Sequence, residues 1–193
     1  MMLGFVTSNA RKFSDAAQTF EHEGVPIKQV SLDVPEIQAS SADEICRAKA
    51  RFAAKHFSGT FFIEDSSFHI PVLNGFPGVY ARYVLETLGV EGMLALLKGV
   101  TSRTCFFRSC IIYHDASGEQ HEFNFVREGL YVTTCAEQAT AGWSDLWRII
   151  GIADKRNHYS RLDAVTQKQL DQEWREDNTF TRLIAHIKDS RHA

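Results

Sequence analysis

The chain has 193 residues, of which 44% are hydrophobic and 23% are charged, so its composition is that of an ordinary soluble protein with one well-buried core. Its formal net charge of −3, with scattered basic residues, excludes the basic footprint of a protein that binds polymeric nucleic acid. No apolar run approaches the ~20 residues that span a bilayer. We therefore predict a single domain over residues 1–193, with no membrane partner.

The four cysteines show no C-x-x-C pairing, and residues 1–6 are too short an apolar segment for a secretory signal. Reduced thiols and a cytoplasmic location are therefore expected. No motif supports a catalytic cysteine. The cysteines are Cys46, Cys105, Cys110 and Cys135.

The first half of the chain alternates predicted strands and helices. In chain order we predict a strand at 3–7, a helix at 10–22, a strand at 27–32, a helix up to about Phe57 and a strand at 60–63. The second helix starts at the capping box formed by Ser41 and Glu44. The order β-α-β-α-β predicts a mixed α/β fold.

The second half is richer in strands. After Pro77-Gly78 we predict a helix to Leu88, a helix at 91–98, a long hairpin with strands at 103–114 and 121–132, and helices at 163–173 and 179–188. No repeat, linker or low-complexity segment separates the halves. One domain with two lobes is the simplest architecture.

An apolar run, Phe61-Phe62-Ile63, is followed at once by two carboxylates, Glu64 and Asp65. Carboxylates at the end of a strand can hold a hard cation such as Mg²⁺ through oxygen ligands. For an isolated pair, a cap or a solvent-exposed position is the commoner outcome. Two further segments favour metal-assisted phosphate chemistry.

Polar residues open the first predicted helix. Thr7, Ser8 and Asn9 follow the first strand directly, and Lys12 lies one turn further on. A helix N-terminus presents unpaired N–H groups that bind anions, to which hydroxyl and amide donors and a lysine charge can be added. The alternative is that Asn9 only caps a surface helix.

Glu36 lies in the loop that follows the second predicted strand. If the first three strands are parallel, the loops at Thr7, Glu36 and Asp65 all leave the same edge of the sheet, where open α/β sheets bind ligands. Lys49, on the next helix, adds a cation.

Four segments carry this pattern in order: Thr7-x-Asn9-x-x-Lys12, Pro35-Glu36-Ile37-Gln38, Glu64-Asp65-Ser66 and Gly75-x-Pro77-Gly78-x-Tyr80-x-Arg82-Tyr83. Over about the first 130 residues the chain resembles the inosine triphosphate pyrophosphatase family. Its members cut non-standard purine nucleoside triphosphates (ITP, dITP and XTP) to the monophosphate and pyrophosphate. The resemblance implies a central elongated mixed β-sheet flanked by helices, two lobes with a nucleotide cleft between them, and a homodimer.

The resemblance also implies roles for individual residues. Asp65, Glu64 and Lys12 are expected to be catalytic, with Asp65 orienting or deprotonating the attacking water. Glu36 and Asp65 are expected to bind Mg²⁺, directly or through water. The residues expected to contact the nucleotide are Thr7, Ser8, Asn9, Lys12, Lys49, Ser66, Trp143 and Arg175.

The match weakens where the family recognises the purine. An aromatic-Gly-Tyr-Asp-Pro segment is replaced here by residues 141–147, in which Ala141 takes the stacking position and Trp143 is the substitute aromatic. The family's Ser-His-Arg segment has its nearest counterpart at 174–176, where Arg175 is the remaining donor.

Because a base is recognised through paired polar groups, these departures predict an altered base specificity. Two alternatives stay open. One is a nucleotide-binding regulatory homologue that hydrolyses weakly or not at all. The other is a pyrophosphatase for pyrimidine or modified nucleotides.

Overall fold

The computed structural model describes residues 2–138 and 144–190. Its strands are β1 (Leu3–Val6), β2 (Ile27–Val30), β3 (Phe61–His69), β4 (Pro77–Gly78), β5 (Thr104–His114), β6 (Gln120–Val132), β7 (Ile150–Ile152) and β8 (Asn157–His158). Its α-helices are α1 (Ala10–His22), α2 (Ala42–His56), α3 (Ala81–Thr87), α4 (Gly89–Leu96), α5 (Ala164–Glu176) and α6 (Thr179–Ser190). Short 3₁₀ helices lie at Pro71–Leu73, Asp145–Ile149 and Tyr159–Arg161.

The strands form one mixed sheet with the order β2-β1-β3-β5-β6-β7-β8, and β4 pairs with β3 outside this path. β1 runs parallel to both β2 and β3, whereas the β6–β7, β7–β8 and β3–β4 pairs are antiparallel. The predicted fold class, an α/β fold with a mixed sheet flanked by helices, is confirmed. Within the described residues, none of the helices has the length and apolar character that crossing a membrane requires.

The chain divides into two compact units. The first comprises Met1–Ser66, Ser109–Phe125 and Gln172–Ala193, and the second comprises Ser67–Arg108 and Val126–Asp171. The single domain predicted for residues 1–193 stays a prediction.

In the first unit, helices cover both faces of the sheet, and strand side chains alternate between them. One core contains Leu3, Phe5, Phe62, Ile111 and Tyr113 from the strands, Ala16 and Phe20 from α1, and Leu183, Ile184 and Ile187 from α6. The other contains Val6, Phe61, Ile63, Cys110 and Ile112 from the strands, and Cys46, Ala50 and Ala53 from α2. The alternation in β3 therefore assigns Phe62 to the α1 side and Ile63 to the α2 side.

Stacked phenylalanines form the centre of the α1-side core. The ring of Phe62 stacks on that of Phe5 at a centroid distance of 4.4 Å and on that of Phe20 at 5.1 Å, and all three residues are fully buried. Burial of each such side chain stabilises the fold by about 1.5–3 kcal/mol. β1 and β3, which lead to the predicted site, are therefore fixed to α1 by fully buried aromatic rings.

The second unit buries residues of its own. Trp147 is half-buried, and its ring lies 5.8 Å from the ring of Phe107 and 5.5 Å from that of Tyr159. Buried apolar residues of this unit include Phe68, Ile70, Val84, Val90, Met93, Leu97, Leu130, Val132, Leu146, Ile149, Ile150 and Ile152.

The predicted end of the third strand was wrong. The third strand does not end at Ile63 but continues to His69, because the buried Phe68 extends the apolar pattern and pairs with Gly78 of β4. Glu64 and Asp65 thus lie inside β3, although β3 pairs with β1 only as far as Phe62. The helix predicted after Pro77-Gly78 is α3, which begins at Ala81 because Pro77 and Gly78 form β4.

Gly151 of β7 lies directly opposite Tyr131 of β6, and a Cβ added at Gly151 would lie 2.4 Å from the tyrosine ring. We expect Gly151→Ala to lower the free energy of unfolding by about 1–3 kcal/mol, because the ring must move. Urea denaturation measures this change. In a Tyr131→Ala background the same substitution should cost much less, and an equal cost in both backgrounds would contradict the proposed steric cause.

Candidate active site

The predicted polar loops lie at the carboxyl ends of neighbouring parallel strands. β1 is parallel to β2 and β3, which confirms the strand arrangement on which the site prediction depended. The Thr7 N–H donates to the carbonyl of Val30 at 3.1 Å, so the β1–β2 ladder extends to the start of the predicted anion loop.

The loop before α1 is ordered by its own side chains. The Asn9 N–H donates to Thr7 Oγ1 at 3.1 Å, and Asn9 Oδ1 accepts from the Lys12 N–H at 3.1 Å, so Asn9 is the N-cap of α1. The cap uses the amide oxygen, and the Nδ2 group is the donor that this side chain can offer to an anion. Ser8 and Asn9 are exposed.

Sequence reasoning missed Gln29, which helps to fix this loop. Its Nε2 donates to the Thr7 carbonyl at 3.0 Å. Gln29 lies on β2 opposite Phe5, a register that spacing along the chain does not reveal. A polar residue next to Val30 on a short strand was the only indication in the sequence.

Lys12 and Glu64 form a largely buried ion pair. Lys12 Nζ lies 2.5 Å from Glu64 Oε2, and the two side chains are 17% and 6% exposed. Burial raises the pKa of the Glu64 carboxyl, and the charge of Lys12 offsets only part of this rise. Burial lowers the pKa of Lys12, but the charges of Glu64 and Asp65 raise it by more, so the net direction is upward.

Lys49, on α2, bridges two carboxylates. Its Nζ lies 2.6 Å from Asp65 Oδ2 and 3.0 Å from Glu36 Oε1. The Lys49 and Asp65 side chains are each 16% exposed, whereas that of Glu36 is 52% exposed. Burial lowers the pKa of Lys49, and the neighbouring carboxylates, Asp65 first, raise it by more.

Three carboxylates and two ammonium groups therefore meet at this edge of the sheet. Ionised carboxylates accept hydrogen bonds and bind hard cations, whereas ammonium groups bind phosphate oxygens. Glu36 and Asp65, which share Lys49, supply carboxylate oxygens, the ligand type that Mg²⁺ takes, so these two residues fit a magnesium site. Glu64 pairs with Lys12 instead.

Within the described residues, two groups of three side chains have metal-ligand spacing, one formed by Asp43, Cys110 and Glu122 and one by Asp115, Glu119 and His121, and the carboxylates at the edge of the sheet are not among them. Protein contacts account for the central carboxylate of each group. Arg47 binds both oxygens of Glu122 at 2.7 and 2.8 Å. Asp115 accepts from Ser117 and Glu119 in the β5–β6 turn, and its other oxygen lies 2.8 Å from His121 Nε2.

Of the two residues predicted to contact the nucleotide base, Arg175 is the one that lies within the described residues. Arg175 is exposed in the last turn of α5, where its carbonyl accepts from Asn178. Trp143 and its neighbour Ala141 lie outside the described residues. Ser66 is half-buried in β3, directly after Asp65.

The thiols are free, as predicted from their spacing: Cys46, Cys105 and Cys110 are buried and Cys135 is exposed. Hydrogen bonding to Cys110 and burial raise the pKa of Cys46, and burial raises the pKa of Cys105 to about 12. These two thiols stay protonated near neutral pH and are poor nucleophiles.

A family model described as the Ham1 family matches residues 3–173 of this sequence. The chain belongs to the Ham1 family. Two similar proteins, both called dITP/XTP pyrophosphatase, come from Thermococcus kodakarensis (41% identical over 133 residues, 69% of this chain and 71% of the relative) and Methanothermobacter marburgensis (33% over 144 residues, 75% of each). The resemblance to the inosine triphosphate pyrophosphatase family is thereby confirmed.

Solved structures of Ham1 proteins have the same fold. The Staphylococcus aureus Ham1 protein matches with a TM-score of 0.75 over 97% of this chain and 99% of its own, at 20% identity. The Coxiella burnetii HAM1 protein matches with a TM-score of 0.76 over 98% and 100%, at 18% identity. At such identities the likeness establishes the fold alone.

Removal of the Lys12 side chain should destabilise the protein, because the buried Glu64 carboxylate loses its positive partner. We expect Lys12→Met to lower the free energy of unfolding by about 3 kcal/mol near pH 8, because an unpaired carboxylate is left in the protein interior. The pKa of Glu64, already raised, rises further without Lys12. The penalty applies only to the charged form, so the loss of stability should shrink as the pH falls through that raised pKa.

Urea denaturation at several pH values, with EDTA present, measures this effect. In the control, Lys12→Met combined with Glu64→Gln, the pH dependence should disappear. A loss of stability that is the same at every pH would contradict the assignment to Glu64.

Proposed function

We propose that this Ham1-family chain is a magnesium-dependent nucleoside triphosphate pyrophosphatase that acts on non-standard purine nucleotides of the ITP, dITP and XTP type. The observation that carries the proposal is the group of paired lysines and carboxylates beside the N-terminus of α1. Relatives that are 41% and 33% identical bear the name dITP/XTP pyrophosphatase, which supports the same substrate class here.

The triphosphate binds at the start of α1 in this proposal. The N–H groups of the first helical turn, the hydroxyls of Thr7 and Ser8 and the Asn9 amide donate to phosphate oxygens. Lys12 and Lys49 add positive charge within reach of the same anion. Ser66 follows Asp65 in β3 and contributes a further hydroxyl.

Glu36 and Asp65 hold Mg²⁺, and Glu64 assists. When bound, the ion neutralises charge that develops on the phosphate oxygens. Asp65 orients the attacking water or accepts its proton, since a carboxylate within hydrogen-bonding reach of the water can act as a general base. Glu64 holds Lys12 in place through the 2.5 Å ion pair, and Lys12 can then meet the developing negative charge.

Contacts with the base form a separate part of the proposal. Trp143 and Arg175 stay predicted contacts of the base, and the altered specificity inferred from residues 141–147 and 174–176 stays a prediction. The same holds for the homodimer and the cytoplasmic location. A non-hydrolysing regulatory homologue is the second candidate, but the retention of all three carboxylates favours turnover.

A nucleotide panel tests the activity. We expect pyrophosphate and nucleoside monophosphate to be released from at least one of ITP, dITP and XTP in the presence of Mg²⁺, and Asp65→Asn to lower kcat by about 100-fold or more. Asp33→Asn, which removes an exposed carboxylate from the loop after β2, is the control and should leave kcat unchanged. Nucleotide binding without turnover in the wild type would favour the regulatory homologue.

Removal of the metal gives an independent test. We expect EDTA to abolish pyrophosphate release and added Mg²⁺ to restore it, because three carboxylates alone repel a triphosphate. Glu36→Gln should raise the Mg²⁺ concentration needed for half-maximal activity. Full activity in EDTA would show that the carboxylates do not act through a metal.

A further inference from the structure

Lys49 occupies the position between two carboxylates at which a divalent cation would bind. Its ammonium group contacts Asp65 Oδ2 at 2.6 Å and Glu36 Oε1 at 3.0 Å, and these are the two residues that fit a magnesium site. Hydrogen bonds between charged groups at such distances are strong. A divalent cation and the Lys49 ammonium therefore compete for the same oxygens.

The charges of these lysines and carboxylates indicate under which conditions a divalent cation can displace Lys49. Glu36, Glu64 and Asp65 carry three negative charges, and Lys12 and Lys49 carry two positive ones. A triphosphate alone would approach a group with a net negative charge. A divalent cation alone would have to displace an ammonium group whose side chain is only 16% exposed and has no phosphate to bind.

Neither the repulsion of the triphosphate nor the loss of a partner by Lys49 arises when the cation and the triphosphate bind together. The ammonium group leaves the carboxylates for the phosphate oxygens, and the carboxylates regain a positive partner. The long, flexible lysine side chain makes such a transfer possible without movement of α2, since its four-carbon stem has several rotamers.

We propose that Lys49 is an internal counter-ion that holds the cation position of Glu36 and Asp65 in the nucleotide-free protein and moves to the triphosphate when a divalent cation takes its place. Lys49 thus couples metal binding to nucleotide binding. The inference rests on the proposed function, because it takes the nucleotide triphosphate as the ligand.

Binding of Mn²⁺ to the nucleotide-free protein tests the competition, with electron paramagnetic resonance as the readout. We expect Lys49→Met to bind Mn²⁺ about tenfold more tightly than the wild type, because the competing ammonium group is gone, a change within the usual range of coupling between sites. Lys49→Gln keeps a polar side chain and should show the same direction if Lys49→Met fails to fold.

Lys55→Met is the matched control. It removes the same charge from the same helix, but Lys55 is exposed and lies in the last turn of α2. Its Mn²⁺ affinity should equal that of the wild type. Equal or weaker Mn²⁺ binding by both Lys49 variants, or an increase of the same size in Lys55→Met, would overturn the proposal.

The transfer itself is observable by NMR of the lysine Nζ groups in ¹⁵N-lysine-labelled wild-type protein, with Lys49→Gln used to assign the signal. The ligand is an inosine triphosphate analogue whose α,β-bridging oxygen is replaced by a methylene group. We expect the Lys49 signal to shift when Mg²⁺ and the analogue are added together and to stay in place with Mg²⁺ alone at the same concentration. An unchanged signal in the ternary complex would show that Lys49 remains on the carboxylates.

These outcomes are separable from failure of the proposed function. If the wild type releases pyrophosphate but the Mn²⁺ affinities and the Lys49 signal do not change, the enzyme is as proposed and the counter-ion role is wrong. If no nucleotide is turned over but Lys49→Met binds Mn²⁺ more tightly, the competition is supported and the enzymatic function is wrong.

Discussion

Side chains of a β-strand point alternately to the two faces of its sheet, and this alternation in β3 organises the whole site. Phe62 and Glu64 belong to the face that α1 covers, whereas Ile63 and Asp65 belong to the face that α2 covers. Glu64 therefore meets Lys12 of α1, and Asp65 meets Lys49 of α2. Two adjacent residues thus acquire two different partners and two different environments.

Glu64 and Asp65 are suited to different roles because their burial and their partners differ. Glu64 is 6% exposed and its pKa is raised by burial, so its charge depends on Lys12. Asp65 is more accessible and shares its cation with Glu36, an exposed loop residue. The buried pair favours a fixed arrangement, and the accessible pair favours exchange of partners. The Glu64–Lys12 pair is thus suited to a fixed, positioning role, and the Asp65–Lys49–Glu36 group is suited to binding a charged ligand.

Short sequence motifs correctly predicted the parts of the site that depend on contacts between residues close together in the sequence. The Asn9 cap and the Ser41 capping box are short-range hydrogen bonds, and both helices begin where the sequence indicates. The extension of β3 past Ile63 depends on pairing with β4, and the contact of Gln29 with Thr7 depends on the β1–β2 register. The hydrophobic periodicity of the sequence reveals neither the β3–β4 pairing nor the Gln29–Thr7 contact, because each joins residues from different segments of the chain.

The choice of lysine for each carboxylate also lay beyond sequence reasoning, although all the residues were identified. Spacing placed Lys12 and Lys49 on helices that follow β1 and β2, but not on opposite faces of the sheet. That assignment needs the packing of the α1-side and α2-side cores. Once the two cores are known, the pairing follows from the parity of residue numbers in β3.

The alternation of side chains in β3 determines which mutations residues 61–65 can accept. A point substitution in residues 61–65 alters one contact and leaves the others in place. Insertion or deletion of one residue would turn every later side chain to the opposite face, which would send Glu64 and Asp65 to the wrong lysines and Phe62 out of its stack with Phe5. The number of residues between the buried phenylalanines and the two carboxylates is therefore constrained independently of the chemistry of Glu64 and Asp65.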